Sequence, residues 1–343
     1  MNAEAGEVVR ISFAELVELL SAIFARHGAP AHLAATLAAN CAMAERDGAH
    51  SHGVFRIPFY VSTLRSGYVD VHAVPVVEQF SPSLIRVDAR NGFAQVGLAA
   101  AAESAVAKAR AGGICLVAIR ASHHLGALWI DTEAFARQGL VAIAFVNGIS
   151  RVAPFGGHMP FFGTNPMSFA APRQGTDPIV FDQASSAMAF GDVKLAQIEG
   201  REVPPGTGVD RDHRPTTDPA AILDGGALLP FGGYKGSSIS MMVELMAGAL
   251  TGGAFSFEVD RSAFPGAQTS KSGQCLIIID PSKVAAGDYA SRVEALIEGL
   301  KAAGQERLPG ERRYANRREA ERHGIPLARK ILAELHSLRD AAA

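Results

Sequence analysis

The hydrophobic positions change period along the chain, and each change marks an element. Ser12-Phe13-Ala14-Glu15 has the spacing of a capping box. Leu16, Leu19, Leu20 and Phe24 follow at three- and four-residue intervals, so an amphipathic helix begins there and ends at Gly28. A second helix is expected from about Pro30, with Leu33, Leu37 and Cys41 on one face, and Gly48 closes it. A short helix around 60–64 precedes two β-like runs, 76–80 and 84–88, that lead to a turn signal at Asn91-Gly92. The alanine-rich stretch 98–111 reads as a helix. The unbroken apolar run 114–119 reads as a strand buried on both faces. Ser122-His123-His124-Leu125-Gly126-Ala127-Leu128 follows and is expected to open the next helix, where free backbone N–H groups meet phosphate or carboxylate oxygens. Further strands are expected at 141–146, 179–182 and 274–280. Further helices are expected near Gly191-Asp192 and at 238–250, 289–303 and 326–338.

Two stretches lack periodicity. The Gly/Pro-rich loop 148–166, which contains Gly163-Thr164-Asn165-Pro166, is long enough to line a site, and 200–236 is rich in Pro, Gly and Asp. No internal repeat or low-complexity linker is present. The mixture of strands and helices makes the chain α/β. No G-x-G-x-x-G follows any strand, so a dinucleotide site would have to be built without the usual Rossmann fingerprint.

With 343 residues, 48% hydrophobic and 19% charged, the chain can bury a large core, and disorder is excluded. A net charge of -2 offers no surface for a polyanion, so nucleic acid is not an expected partner. The 3 cysteines, Cys41, Cys115 and Cys275, stand apart in apolar contexts, which points away from a disulfide framework and toward a reducing, cytoplasmic compartment. The first residues carry acids and no basic region before an apolar run. No stretch approaches the roughly 18 apolar residues of a membrane span, so neither export nor membrane insertion is expected.

Chemistry concentrates at 46–56, Arg46-Asp47-Gly48-Ala49-His50-Ser51-His52-Gly53-Val54-Phe55-Arg56. A core has no use for such a run. A histidine with a serine hydroxyl beside it passes a proton near neutral pH, and Arg56 offers a planar fork for a substrate carboxylate. The competing reading is a polar loop that caps two helices, for which the same residue types serve. His50-x-His52 and His123-His124 raise the question of a metal, but no neighbouring Glu or Cys completes a usual ligand set, so none is expected. A hydrolytic triad of Ser51, His52 and Asp192 ranks low because no G-x-S-x-G elbow exists. A non-catalytic binding protein ranks lower, having no need of a protonatable Ser-His pair beside an arginine.

RDGAHSHGVFR, with SHHLGAL, FGTNP, GGYKG and LPGERR downstream, resembles the type 2 malate/L-lactate dehydrogenase family over essentially the whole chain. DPIVFD, MAFGDV, TTDPAAILDGGALLPFGGYKG and MMVELMAGALTGG are most similar to that family's Δ1-piperideine-2-carboxylate/Δ1-pyrroline-2-carboxylate reductases. The resemblance implies a non-Rossmann NAD(P)H-binding α/β fold with a largely antiparallel central sheet and flanking helices. A helical segment 1–85 with the catalytic loop would pack with C-terminal helices 286–343, around an NADPH-binding α/β domain 86–285. It implies a cytoplasmic homodimer that uses NADPH to reduce small cyclic 2-imino acids to L-pipecolate and L-proline. The alternative is an NAD(P)-dependent 2-keto acid reductase. By motif, Ser51, His52 and Asp192 would form the proton-relay group, with His52 the donor and Arg56 on the substrate. The matching cofactor segments are His124, Leu125, Gly126, Ala127 and Leu128; Asp182, Gln183 and Ala184; Tyr234 and Lys235; and Arg307, Leu308, Pro309, Gly310, Glu311, Arg312 and Arg313. An ordinary N-cap is the competing role for Asp192, and a solvated basic helix the competing role for the arginines. Phe190 stands where the family pattern can carry a histidine.

Overall fold

The computed structural model describes residues 7–341, so the first six residues of the stretch read for an export signal lie outside it. β1 (Val8–Ile11) leads into α1 (Phe13–Arg26), opened by the expected box: Ser12 Oγ accepts the Glu15 N–H at 3.2 Å, and Glu15 accepts the Ser12 N–H at 2.9 Å. α2 (Ala31–Arg46) and α3 (Ile57–Ser66) pack with α1 around Phe24, Leu37, Tyr60 and Phe93, and the Phe24 and Tyr60 rings meet edge to face at 5.5 Å.

β2 (Val76–Ser81), β3 (Leu84–Phe93), α4 (Ala94–Gly112), β4 (Ile114–His123), α5 (Trp129–Ala136), β5 (Val141–Val146), β6 (Met167–Ala171) and β7 (Ile179–Gln183) follow. α6 (Phe190–Ile198) then leads to a small sheet of β8 (Gly208–Val209), β9 (Pro215–Thr216) and, past α7 (Pro219–Leu223), β10 (Ala227–Leu228). α8 (Tyr234–Val243) runs on into a π-helical segment, Glu244–Ala249. β11 (Lys271–Ile279), α9 (Pro281–Val284), α10 (Tyr289–Ala302), α11 (Glu311–His323), β12 (Ile325–Ala328) and α12 (Arg329–Asp340) complete the chain.

The central sheet has 7 strands in the order β2-β3-β4-β11-β5-β6-β7. β3 and β4 are parallel, with α4 as their crossover, and the other pairs are antiparallel. Ala101, Ala105 and Ala109 recur every fourth residue and let α4 settle closely on Val87, Val117 and Ile119. On the opposite face, Val243 and Ala247 cover Phe145 and Cys275. Both faces being covered is why β5 reads as one apolar run. β1 pairs with β12, and α12 packs against α1, so Ile325, Leu327 and Leu335 join the core of α1, α2 and α3.

Several expected boundaries shift, each for a physical reason. Asn91-Gly92 is a bulge within β3 and not a turn: Arg90 and Asn91 take positive φ, 50° and 66°, and pairing with β4 resumes at Gly92. β4 extends through His123 because β11 continues the ladder there, so the helix expected to open at 122–128 begins only at Trp129. The Trp129 N–H is taken by the Asp182 carboxylate at 2.9 Å. The helix expected at 238–250 starts at Tyr234 and ends in π geometry, and the one expected at 326–338 is a strand followed by α12. β6 and the small sheet in 200–236 were not legible as strands: β6 spans only 5 residues, and the strands of the small sheet are 2 residues each.

Candidate active site

After α2 the chain turns at Gly48, where φ is +78° and an added Cβ would collide with Asn316. It then winds through two 3₁₀ turns, His50–His52 and Val54–Arg56. Two buried acids hold this loop. Glu45 accepts the Val54 N–H at 2.9 Å and contacts His50 Nδ1 at 2.6 Å, a bond that raises the His50 pKa. Gly53 is obligatory there, since a Cβ would lie 2.1 Å from the Glu45 carboxylate. Asp47, fully buried, pairs with Arg46 at 2.7 Å and with Arg317, which also binds Glu133 at 2.7 Å. The acid of the RDGAHSHG run is therefore an anchor to α11 and α5. Losing one partner of such a buried network costs about 3–5 kcal/mol.

On the inner side of the loop Ser51 Oγ lies 3.1 Å from His52 Nδ1, which leaves Nε2 for a ligand. Burial, reinforced by the charges of Arg56 and His124, pushes the His52 pKa down to about 3. Arg56 donates from Nε to the Ser51 carbonyl at 2.7 Å and has no carboxylate in contact among the described residues, although burial makes its charge costly. Gly191 packs against both: a Cβ there would come within 3.0 Å of Arg56 Nη2 and 3.1 Å of Ser51 Cβ. This contact brings α6 to the loop. Asp192 sits in the first turn of α6, past the cap residue Ala189, so it is not the N-cap. Asp192 shares a cavity with Ser51 and His52 but hydrogen-bonds to neither, and its charge favours that of Arg56. A hydrolytic triad lacks its third link.

The site comprises two adjoining cavities. The larger, about 400 Å³, is lined by the loop, by Gly126, Ala127, Leu128 and Trp129, by Asp182, Gln183 and Ala184, and by Asp192, Arg312 and Arg313. The smaller, about 140 Å³, is lined by His52, Arg56, Phe59, His124, Leu125, Arg151, Lys194 and part of 146–149 and 268–270. His52, Arg56, Gly126, Thr164, Pro166 and Phe190 line both. The other expected cofactor residues stand apart. Leu308, Pro309 and Glu311 line a separate hollow, while Tyr234, Lys235, Arg307 and Gly310 line neither of the two cavities.

The paired histidines of 123–124 separate in role. His123 is wholly buried between Thr269 at 2.7 Å and Asn91 at 3.0 Å, with its pKa pushed down to about 3 by desolvation. His124 faces the smaller cavity and is backed by Asp131 at 3.1 Å, itself held by Gln274 at 2.7 Å. No group of three or more His, Cys, Asp or Glu among the described residues could hold a metal.

The larger cavity fits a polyanionic dinucleotide. Trp129 and Arg313, which line it, carry buried donors, Nε1 and Nε, without a partner among the described residues, and Arg312 is exposed there with no counter-ion among them. Glu45, Phe59, Thr164, Arg151 and Lys194 were missed by sequence reasoning. Only Arg151 and Thr164 carried a signal, as part of the loop 148–166 expected to line a site.

The malate/L-lactate dehydrogenase family model matches residues 11–336. A Δ1-pyrroline-2-carboxylate/Δ1-piperideine-2-carboxylate reductase of Pseudomonas syringae pv. tomato is 57% identical over 96% of both chains. An NADP(+)-linked (2R)-3-sulfolactate dehydrogenase of Chromohalobacter salexigens is 42% identical over 90% of this chain and 92% of its own. The crystal structure of Δ1-piperideine-2-carboxylate reductase from Pseudomonas syringae superposes with a TM-score of 0.94 at 56% identity, covering 96% of this chain and 99% of that one.

Proposed function

The chain belongs to the malate/L-lactate dehydrogenase family, and on that premise we propose that it reduces cyclic 2-imino acids, Δ1-piperideine-2-carboxylate and Δ1-pyrroline-2-carboxylate, to L-pipecolate and L-proline with NADPH. One observation carries the reading: the Ser51-His52 pair and Arg56, whose Nη groups no carboxylate contacts among the described residues, converge where a small cavity joins a larger one. The 57% identity to a reductase of that name supports the choice of an imine over a keto acid.

In this proposal Gly126, Ala127, Leu128, Asp182, Gln183, Ala184, Arg312 and Arg313 hold the cofactor without a Rossmann turn. The partnerless Trp129 and Arg313 donors support that placement. When bound, the reduced nicotinamide supplies the hydride. Arg56 grips the substrate carboxylate through its free Nη groups. His52 moves the proton at the imine nitrogen through Nε2, with Ser51 fixing its tautomer. In the absence of substrate its pKa of about 3 keeps His52 neutral at pH 7. Burial is the first cause of that depression, and a carboxylate arriving on Arg56 offsets one of the positive charges that add to it, which moves the His52 pKa back toward its ordinary value. Asp192, close enough to favour Arg56, adds to the same balance.

The division of the chain into a helical unit of 1–85 with 286–343 and an α/β unit of 86–285 belongs to the proposal, with β2 and the first two residues of β3, Leu84 and Ile85, contributed to the sheet from the first. So does a homodimer: Phe155, Met159, Tyr234, Met241, Leu245 and Phe257 are all more than half exposed, an apolar face that a second copy would cover. Tyr234 and Lys235, on that face, would meet a cofactor only across such a dimer. The test is steady-state turnover of the five-ring imine, the six-ring imine, pyruvate and oxaloacetate with NADPH. Faster turnover of either keto acid than of both imines would replace this reading with the 2-keto acid alternative.

A further inference from the structure

The smaller cavity carries more positive charge than one carboxylate can balance. Arg56, Arg151 and Lys194 all line it, and none of its lining residues is Asp or Glu. Among the described residues Arg151 and Lys194 have neither a hydrogen-bond nor an ion-pair partner for their charged ends. Instead they lean on aromatic rings: the Arg151 guanidinium lies 4.3 Å from the centre of Phe190, and the Lys194 ammonium lies 4.6 Å from Phe59 and 5.1 Å from Phe190. Arg56 lies 5.9 Å from the same Phe59 ring, so both ends of the cavity share one aromatic floor. The surroundings do not relieve this charge. Desolvation first, then Arg261, pushes Arg151 down to about 10, and Lys194 is lowered by desolvation and by Arg151, Arg56 and Arg261. Partly buried cations held only by aromatic rings, with no carboxylate in contact, form a site for an anion.

Resting on the reading proposed above, in which Arg56 takes the carboxylate next to the reacting carbon, we infer that Arg151 and Lys194 form a second anion subsite. The acids that fit are therefore not only monocarboxylates but 2-imino and 2-oxo acids with a second carboxylate, whose carbon frame lies on Phe59 and Phe190. Phe190 sets the subsite's geometry by holding both cations against its ring.

The test is calorimetric binding of matched acids to the full chain, with and without saturating NADP+: succinate against butyrate and glutarate against valerate. For at least one length the dicarboxylate binds at least tenfold more tightly than its monocarboxylate partner, and in Arg151→Gln/Lys194→Gln the ratio falls below threefold. Lys194→Met, which removes no hydrogen bond, gives an intermediate ratio and decides the matter if the double variant does not fold. A ratio near one at both lengths overturns the subsite. So does a ratio that survives the double substitution, or a double variant that binds NADPH tenfold more weakly with the ratio unchanged, which would give the cations to the cofactor phosphates. Binding is read without turnover. A protein that prefers dicarboxylates yet reduces no cyclic imine overturns the reduction reading alone, and one that reduces the imines with a ratio near one overturns only the subsite.

Discussion

Replacing Arg56 with methionine separates a functional arginine from a structural one. Its Nε is committed to the Ser51 carbonyl at 2.7 Å, which leaves two Nη groups for a ligand, and no carboxylate among the described residues contacts it, Asp192 acting only from a distance. Two charge-assisted hydrogen bonds to a carboxylate, at about 1.5–3 kcal/mol each before losses, make about 3–4 kcal/mol a reasonable net loss of substrate binding. At about 1.4 kcal/mol per decade, kcat/KM should fall by roughly 10²–10³. Stability behaves differently. The substitution removes one hydrogen bond and the attraction of Asp192, but it also relieves a buried charge that no carboxylate contacts, and these opposing terms are of similar size. The net change should lie within about 2 kcal/mol, a Tm shift of a few degrees at most. The assay pairs kcat/KM for the six-ring imine at saturating NADPH with a thermal melt and an NADPH titration. Arg56→Lys keeps the charge and loses the fork, so it should fall between the two. An unchanged KM, or a melt lowered by 10 °C or more, would refute the reasoning and make Arg56 a strut of the loop.

His52→Ala should lower kcat by about 10²-fold or more with NADPH affinity nearly unchanged, and near-normal turnover would move the proton role to another group or to solvent. Because the folded pKa values of His52 and His123 lie at about 3, below the ordinary 6.5, the unfolded chain binds their protons first. Stability should therefore be fully present above pH 6.5 and fall as pH drops toward 3, with a shallower fall in His123→Asn; identical melts at pH 7 and pH 4.5 would contradict this. His50 acts in the opposite sense: its raised pKa contributes stability that is lost as pH rises through the folded value. NADPH should be preferred over NADH in kcat/KM, with the preference reduced at least tenfold in Arg312→Ala; equal values for the two cofactors would remove the phosphate from that arginine.

Much of this was legible in the chain. The capping box at Ser12, the apolar strands and the loop 46–56 with Ser51, His52 and Arg56 follow from local spacing, which the fold respects. What was not legible depends on distant partners. β1 is a strand because β12, more than three hundred residues away, lies beside it, and β4 runs on to His123 because β11 does. Asp47 looked like chemistry and is an anchor, since Arg317 meets it from α11. Arg151 and Lys194 carried no motif; they come together only when α6 and the loop after β5 turn them toward one cavity.

The most direct test of the central claim follows the hydride itself. NADPH carrying deuterium at the transferable C4 position is incubated with the full chain and Δ1-piperideine-2-carboxylate, and the product is read by NMR and mass spectrometry. L-Pipecolate with one deuterium at C2, formed in step with loss of the cofactor's 340 nm absorbance, is the predicted result. Cofactor that stays reduced, or pipecolate without deuterium at C2, would contradict it.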